Sequence, residues 1–249
     1  YVKALVGGRG EKTASLTLNR ATDTYRQPGS TFKPLAVYGP AINDLGLTLG
    51  DTDVDQAITY ENTNRPVKNA YSGYRGTMTI RDALKYSCNT IAVQCFRDVT
   101  PRLGYTYLKD LGFEKVTDHE IINGQVFDDA REPTALGGIT NGVSTLELTA
   151  AYAAIANGGT YTKPVFYTKI LDQNGDVVLK NKPKTAEVFR ESTAYLLTSA
   201  LESVVNDEGG TGNGLKLDNM PVAGKTGTTS ATRDVWFAGF TPYYTCAVW

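Results

Sequence analysis

The sequence contains few of the residues that bind metals, form disulfides or act in a histidine-based triad. It has one histidine and three cysteines among 249 residues. Cys88, Cys95 and Cys246 do not follow the paired spacing of a zinc site. Cys88 and Cys95 are seven residues apart in a helical pattern, so their Cα atoms would be about 10 Å apart, too far for a disulfide. We expect no metal and no cofactor, and we interpret the cysteines as small hydrophobes.

Long apolar segments and an excess of one charge are also absent. The 25 basic and 26 acidic residues give a formal net charge of −1, so we do not expect a nucleic acid partner. No run of about 18 apolar residues is present, and no signal peptide is visible. The opening YVKALVGG and the closing YYTCAVW both resemble interrupted strands. We therefore expect the sequence to be a fragment whose flanking segments were removed or are carried elsewhere.

Hydrophobic periodicity predicts helices in the middle of the chain and strands towards both ends. A polar stretch at 50–76 is predicted to be a loop, and its length is typical of a functional one. A hairpin is predicted around Asn174-Gly175, with strands at 165–171 and 176–181. The other predicted strands are 1–8, 222–229, 234–240 and the residues from 244, and the predicted helices are 28–46, 77–99 with a break at its middle, 102–112, 144–156 and 191–205. This order indicates an α+β fold, with an antiparallel sheet flanked by helices and a mostly helical subdomain.

Three short segments carry residues of acyl-transfer chemistry. RQPGSTFKP places Ser30 and Lys33 three residues apart, just after a Pro-Gly turn. About one S-x-x-K match is expected by chance in a chain of this length, so the pair alone decides nothing. Ser87-Cys88-Asn89 interrupts a predicted helix, and Lys225-Thr226-Gly227-Thr228 lies in a predicted strand. The three segments together, in this order, indicate a serine acyltransferase site.

Each of these residue types has a task in acyl transfer. A serine at a helix N-terminus is rigid and accessible, and the helix dipole favours negative charge there, so Ser30 is the predicted nucleophile. Lys33 lies one turn further on the same face and is the predicted base. Burial and a nearby cation would lower the pKa of Lys33 into a useful range, and Lys225 is the candidate cation. Ser87 is predicted to relay a proton to the departing amine, and Asn89 to bind a substrate amide.

The segment AGKTGTT is predicted to bind substrate along its edge. Gly227 lacks a side chain, so a peptide could lie close to it as an added strand. Thr226 and Thr228 would present hydroxyls on one face and, with Lys225, hold a terminal carboxylate. The backbone N–H groups of Ser30 and Thr228 would form the oxyanion hole.

Segments beyond these motifs resemble the transpeptidase domain of class A, bifunctional penicillin-binding proteins. They are KALVGGRG, LNRAT, RQPGSTFKP, YRGTMTIRDALKYSCNTIAVQ, ALGG, VSTLELTAAYAAIANGG and AGKTGTTSATRDVWFAGFTP, in family order over most of the chain. The resemblance implies a β-lactam-sensitive D,D-transpeptidase of cell wall synthesis that cross-links peptidoglycan stem peptides. Ser30 would attack the D-alanyl-D-alanine bond and release D-alanine. An amine of a neighbouring stem peptide would then resolve the acyl-enzyme.

The resemblance also implies how the domain is built and where it works. It predicts one domain over 1–249, with sheet parts at about 1–29 and 215–249 and a mainly helical part at about 30–214. The family's sheet has five strands, so we expect truncation at both ends of the sheet, with the missing N- and C-terminal segments in the parent protein or in a second chain. The family carries a glycosyltransferase domain and a membrane anchor upstream, neither of which is in this sequence. The implied location is the extracytoplasmic face of a bacterial membrane, and the implied partners are stem peptides, β-lactam antibiotics and proteins of the division or elongation machinery.

Other interpretations of the same residues remain open at this stage. A serine β-lactamase needs a group that activates water, and Glu132 in REPTALGG is the nearest candidate, although we expect it in a surface loop. A D,D-carboxypeptidase passes the acyl group to water, and a non-catalytic β-lactam sensor would be acylated once. A Ser-His-Asp triad would need His119, which lies in a polar stretch that we expect to be a surface loop.

Overall fold

The computed structural model describes residues 1–11 and 13–249, and it confirms the predicted α+β fold. A three-stranded antiparallel sheet lies beside a larger group of helices, and four two-stranded sheets lie outside this centre. The helices are α1 (Arg20–Asp23), α2 (Gly39–Asp44), α3 (Ile80–Lys85), α4 (Asn89–Val99), α5 (Pro101–Asp110), α6 (Thr145–Ala156) and α7 (Glu191–Asn206), with short 3₁₀ segments at Gly29–Phe32, Glu132–Leu136, Asn213–Leu215 and Ser230–Thr232 and a π-helical segment at Lys33–Tyr38.

The strands pair only in antiparallel fashion. They are β1 (Thr52–Asp55), β2 (Gly76–Thr79), β3 (Glu120–Ile122), β4 (Gln125–Phe127), β5 (Thr160–Thr162), β6 (Lys169–Leu171), β7 (Val177–Lys180), β8 (Thr185–Glu187), β9 (Ala223–Thr228), β10 (Val235–Phe240) and β11 (Thr245–Val248). The central sheet has the order β11-β10-β9, so β9 and β11 are its outer strands. The hairpin predicted around Asn174-Gly175 is formed by β6 and β7.

The segment that carries Ser30 is the buried central helix of the domain. It starts as a 3₁₀ turn at Gly29–Phe32, widens to a π-helical turn at Lys33–Tyr38 and ends as α2. Every residue of the π-helical turn is buried. A helix that is enclosed on all sides must be apolar around its whole circumference, as the sequence FKPLAVYGPAI is apart from its one lysine. The predicted helix over 28–46 is thus present, and Lys33 is its buried charge.

The strand predicted at 1–8 is wrong, because no ladder forms there. Val2 N donates to Val165 O at 3.0 Å, and Gly7 O accepts from Arg20 N at 3.1 Å. Alternating side chains create the pattern of a strand, but a strand also needs a neighbour along its length. In the described residues, the sheet is built from the segment predicted at 215–249 alone, without the part predicted at 1–29.

The prediction of an uninterrupted loop at 50–76 is also wrong at both ends. β1 and β2 close this segment as an antiparallel pair, with Asp55 opposite Gly76. The two strands read TDVD and GTMT, and their polar composition concealed the alternation, since only Asp55 and Met78 point into the protein. The residues between them form a loop whose two ends are held together.

The expected breaks and surfaces are largely confirmed. α3 and α4 are separated at the Ser87-Cys88 turn, and His119 is exposed. Cys88 and Cys95 are buried free thiols, as expected. Cys246 is a free thiol too, but it is exposed. It lies on an outer strand whose residues alternate between half-buried and exposed, and it falls on the exposed face.

The turn before Ser30 is closed by a contact between two glycine backbones. Gly137 has a φ of +77°, and a Cβ on it would lie 2.4 Å from the backbone N and O of Gly29. Gly124 has nearly the same φ of +78°, but a Cβ there would meet nothing within 4 Å. Both positions therefore need a left-handed backbone, but only Gly137 is in close contact with another segment.

We predict that Gly124→Ala lowers the free energy of unfolding by about 1 to 2 kcal/mol, the usual cost of a left-handed backbone in a residue with a Cβ. Gly137→Ala should cost at least about 2 kcal/mol more, because the added methyl overlaps a backbone that has no room to move. Urea denaturation of both variants measures the difference. Equal losses in the two variants would contradict the structural role assigned to the Gly29–Gly137 contact.

Candidate active site

Ser30 lies in the turn that opens the buried central helix, and neighbouring elements hold that turn on several sides. Trp236 Nε1 donates to Gln27 O at 2.9 Å, which ties the turn to β10. Thr31 Oγ1 donates to Pro28 O at 2.8 Å within the turn. Tyr152 OH, on α6, donates to Thr31 O at 2.8 Å. Ser30 itself is only half-buried, so its hydroxyl sits on a rigid support and stays accessible.

Lys33 points into the protein one turn after Ser30 and has no exposed surface. Its Nζ lies 2.7 Å from Ser87 O, 3.1 Å from Cys88 O and 2.6 Å from Asn89 Oδ1. It also lies 3.2 Å from Ser87 Oγ. The predicted base therefore contacts all three residues of the predicted S-x-N motif, which begins 54 positions later in the sequence.

Lys225 approaches the same hydroxyl from β9. Its Nζ donates to Ser87 Oγ at 2.9 Å and to Thr226 O at 3.1 Å, and its side chain has no exposed surface. Ser87 is therefore held between two buried lysines. Its backbone has a φ of +56°, a left-handed conformation that is uncommon for a residue with a side chain and that occurs most often at functional turns.

Burial weakens the proton affinity of both amines. It lowers the pKa of Lys225 from 10.5 to about 7. Burial, followed by repulsion from Lys225, lowers the pKa of Lys33 well below 10.5. A neutral amine has two N–H donors and one lone pair. The two shortest contacts of Lys33 use the two donors, and the lone pair is left for the hydroxyl of Ser87, whose Oγ lies 3.2 Å away. Lys33 thus has the environment of a base.

Asn89 has a fixed orientation in this site. Its Oδ1 accepts from Lys33 Nζ, and its Nδ2 donates to Lys68 O at 2.7 Å. The second hydrogen of Nδ2 is left for another acceptor. The role predicted for Asn89, a bond to a substrate amide, is compatible with that remaining hydrogen.

On β9, Thr226 and Thr228 share one face, as predicted, while Lys225 faces the buried side. Thr226 Oγ1 donates to Thr211 Oγ1 at 2.8 Å, and Thr228 is exposed. A Cβ on Gly29 would lie 3.0 Å from Thr228 N. The backbone amides of Ser30 and Thr228, predicted to form an oxyanion hole, therefore belong to adjacent segments.

The structure gives a different reason for the glycine at position 227 from the one predicted. A Cβ on Gly227 would lie 2.4 Å from Pro28 O and 2.9 Å from the methyl group of Thr31. The missing side chain thus lets β9 approach the turn that holds Ser30, and it does not face the open side of the strand. Gly227 brings the turn that holds Ser30 and strand β9 together.

Glu132 does not lie in a surface loop, so that prediction is wrong. It is buried in the 3₁₀ segment Glu132–Leu136, where it forms an ion pair with Arg97 and accepts from Glu61 N at 2.7 Å. A buried carboxylate needs such partners, and Arg97 was too distant in sequence to be recognised as one. Arg97 is also eight residues along α4 from Asn89, about 12 Å. Glu132 is therefore committed to a structural ion pair, which does not favour the role of a water-activating group.

Sequence reasoning missed the residues that support the site from neighbouring loops. Asn69 accepts from Asn89 N at 2.7 Å, and Lys68 supplies the acceptor for the Asn89 side chain. Thr211 supplies the hydroxyl that binds Thr226. The length of the loop at 50–76 did signal a function, but nothing in its sequence distinguished Asn69 from the other polar residues around it.

In residues 1–11 and 13–249, no three His, Cys, Asp or Glu side chains are grouped so that they could hold a metal ion. None of the helices described there is both long enough and apolar enough to span a membrane.

Comparison with known proteins places this arrangement in a family. Residues 3–249 match the family described as the penicillin binding protein transpeptidase domain. Penicillin-binding protein 1A of Clostridium tetani is 37% identical over 265 residues, which cover 100% of this chain and 32% of that protein. Penicillin-binding protein 1A of Haemophilus influenzae has a similar structure, with a TM-score of 0.76 and 26% identity over 92% of this chain and 38% of that chain.

The PonA1 protein of Mycobacterium tuberculosis in complex with penicillin V shares the fold, with a TM-score of 0.78 and 24% identity over 94% of this chain and 62% of that chain. The chain spans about a third of the length of the curated relative from Clostridium tetani. The match over nearly the whole sequence confirms the resemblance noted from its motifs. The chain belongs to the penicillin-binding protein transpeptidase family, whose members are acyl-transfer enzymes.

Proposed function

We propose that the chain is the catalytic domain of a serine D,D-transpeptidase that cross-links peptidoglycan stem peptides and is acylated by β-lactams. The observation that carries this proposal is the meeting of two fully buried lysines at one hydroxyl, with Nζ atoms 3.2 Å and 2.9 Å from Ser87 Oγ, next to the turn that presents Ser30. Burial of two amines without a carboxylate partner is costly, and functional sites are where such a cost is retained.

In the first half of the reaction, Ser30 Oγ attacks the carbonyl carbon between the two D-alanines. Lys33 accepts the hydroxyl proton, because burial and the charge of Lys225 lower its pKa well below 10.5 and so favour the unprotonated amine. The oxyanion of the tetrahedral intermediate accepts hydrogen bonds from the N–H groups of Ser30 and Thr228. When the C–N bond breaks, the departing amine takes a proton through Ser87, and D-alanine leaves.

In the second half, an amine of a neighbouring stem peptide attacks the acyl-enzyme. The same groups act in reverse. Ser87 and Lys33 remove a proton from the attacking amine, and Lys33 returns a proton to Ser30 Oγ as the ester breaks. The product is a new amide bond between two stem peptides. A β-lactam enters the first half only, because its leaving amine stays tethered to the acyl group and cannot diffuse away.

The donor peptide is proposed to bind along β9. This strand is an outer strand of its sheet, so a peptide can add to it by backbone hydrogen bonds. The hydroxyls of Thr226 and Thr228 would bind the terminal carboxylate directly, and the cation of Lys225, buried on the opposite face of the strand, would attract it electrostatically. Asn89 would bind a backbone carbonyl of the donor with the second hydrogen of its Nδ2.

The setting of the whole protein follows from its relatives and is part of the proposal. We infer a single transpeptidase domain over 1–249 that acts on the outer face of a bacterial membrane, downstream of a glycosyltransferase domain and an anchor. Its partners there would be peptidoglycan strands, and proteins of the division or elongation machinery.

We predict that Ser30→Ala abolishes covalent labelling by penicillin, because it removes the only atom that would form the ester. The fold should persist, since Ser30 is only half-buried. Intact mass spectrometry after incubation with penicillin measures the adduct, and Ser192→Ala, at an exposed serine of α7, is the matched control. Full labelling of Ser30→Ala would refute the assignment of the nucleophile, and rapid loss of the adduct in the unmodified protein would instead indicate a β-lactamase.

We predict that the rate of acylation by penicillin depends on pH with two limbs. Lys33 must be unprotonated to act as a base, so the rate rises as pH rises through its lowered pKa. Lys225 attracts the carboxylate only while its amine is protonated, so the rate falls again above its pKa of about 7. Stopped-flow measurement of acylation across pH resolves both limbs.

Lys225→Gln should remove the falling limb and slow acylation below pH 7 by about tenfold to 100-fold, because the attraction of a nearby buried charge for the carboxylate is lost. It should also move the rising limb to higher pH, because the Lys225 charge is one cause of the low pKa of Lys33. Lys216→Gln, at an exposed lysine, controls for the change in net charge. A rising limb that stays in place in Lys225→Gln would contradict this coupling of the two lysines.

A further inference from the structure

The first backbone amide of α4 is bound by a side chain from the distant loop between β1 and β2. Helix α4 begins at Asn89, and the side chain of its N-cap residue, Cys88, caps no backbone amide. The first N–H groups of a helix have no partner inside the helix and need one from elsewhere. Asn69 supplies it, since its Oδ1 accepts from Asn89 N at 2.7 Å. A residue 20 positions away in the sequence thus acts as the cap.

The orientation of Asn69 is itself set by a buried carboxylate. Asn69 Nδ2 donates to Asp55 Oδ1 at 2.7 Å, so its amide oxygen must face Asn89. Asp55 is 1% exposed and also accepts from Thr90 Oγ1 at 2.6 Å, Tyr71 OH at 2.7 Å and Arg75 N at 2.8 Å. Burial alone would raise the pKa of Asp55, but these four hydrogen bonds hold it below its ordinary value. The carboxylate is therefore charged at neutral pH and can accept all four bonds.

These contacts end at the residues of the proposed active site. Asn89 follows Ser87 and Cys88, whose carbonyl oxygens lie 2.7 Å and 3.1 Å from Lys33 Nζ. Ser87 is held in a left-handed conformation, which persists only where the surrounding structure holds it. The amide bond from Asn89 to Asn69 lies at the end of this turn and fixes its exit into α4.

We propose that Asn69, oriented by Asp55, is a positioning residue that sets the place of the Ser87-Cys88-Asn89 turn and thereby the acylation rate of Ser30. This inference rests on the proposed function for its effect on acylation, whereas the effect on the turn stands independently. Neither Asn69 nor Asp55 touches the reacting atoms. Their contribution is to hold the oxygen atoms that surround Lys33.

The test uses two readouts on the whole chain. The first is hydrogen exchange of the amides at residues 88–90, and the second is the acylation rate by penicillin. Asn69→Ala should accelerate exchange at these amides by about tenfold or more and slow acylation by about tenfold to 100-fold, because one oriented hydrogen bond is lost. Asn64→Ala, at an exposed asparagine of the same loop, is the matched control and should change neither.

Exchanging the side chains of Asp55 and Asn69 distinguishes a positioning role from general damage to the fold. Asn69→Asp alone sets two carboxylates against each other, 2.7 Å apart, and should slow acylation at least as much as Asn69→Ala. The double variant Asp55→Asn with Asn69→Asp keeps the net charge. The amide then at position 55 can donate to the carboxylate at position 69 and to Thr90, and its oxygen can accept from Tyr71 and Arg75. The carboxylate at position 69 can still accept from the Asn89 amide. Acylation should recover to within about threefold of the original rate, a strongly non-additive result.

The outcomes distinguish this inference from the proposed function. Unchanged exchange and acylation in Asn69→Ala would overturn the inference and leave the proposed function intact. A folded double variant, checked by its thermal unfolding midpoint, that stays as slow as Asn69→Asp would also overturn it. If the unmodified chain is not acylated, the proposed function fails, and the exchange of the Asn89 amide still decides whether Asn69 holds the turn.

Discussion

The site depends on the burial of two amines against one hydroxyl. An amine in water is protonated at neutral pH and cannot remove a proton from serine. Lys33 and Lys225 lose all contact with water, and neither is paired with a carboxylate within the described residues. Burial therefore lowers the pKa of both, and the charge of Lys225 lowers that of Lys33 further. The rest of the domain shields these two side chains from solvent and holds them close together.

Two features of the backbone make this burial possible. The central helix is apolar around its circumference, so Lys33 has no route to solvent along it. Three glycines, at 29, 137 and 227, lie where separate segments of backbone meet. These segments are the turn that holds Ser30, the 3₁₀ segment that begins at Glu132, and β9, and a Cβ at any of the three positions would prevent their close approach. The close approach of β9 brings Lys225 to Ser87. In this sense the K-T-G motif serves packing as well as the substrate binding proposed for it.

The sequence predicted the site more completely than it predicted the sheet. Ser30, Lys33, Ser87 and Lys225 were recognisable because acyl transfer restricts the residue types and their order, and the structure brings the side chains of Lys33, Ser87 and Lys225 together. The strand predicted at 1–8 failed, because alternation describes side chains and not the neighbour that a strand requires. β1 and β2 were missed because only one residue of each is buried, and in β1 that residue is the polar Asp55 while Val54 is exposed.

The supporting contacts were out of reach for a different reason. Asn69 binds Asp55, 14 residues away in the sequence, and Asn89, 20 residues away. A polar loop contains many residues of the same types, so the sequence does not show which of them form such bonds. Glu132 was misplaced for the same reason, since its partner Arg97 lies on another element. Contacts between residues that are distant in the sequence decide which polar side chain is buried and which is exposed. A single sequence does not show which residues make those contacts.

The most direct test of this account is an NMR titration of the lysine side chains in protein labelled with ¹³C at lysine Cε. Lys33→Arg and Lys225→Arg assign the two signals by their disappearance. The account predicts one lysine that titrates at about pH 7, for Lys225, and a second that titrates well below 10.5, for Lys33. If every lysine in the folded protein titrates near 10.5, the buried amines are protonated at neutral pH, and the claim that Lys33 acts as the base is wrong.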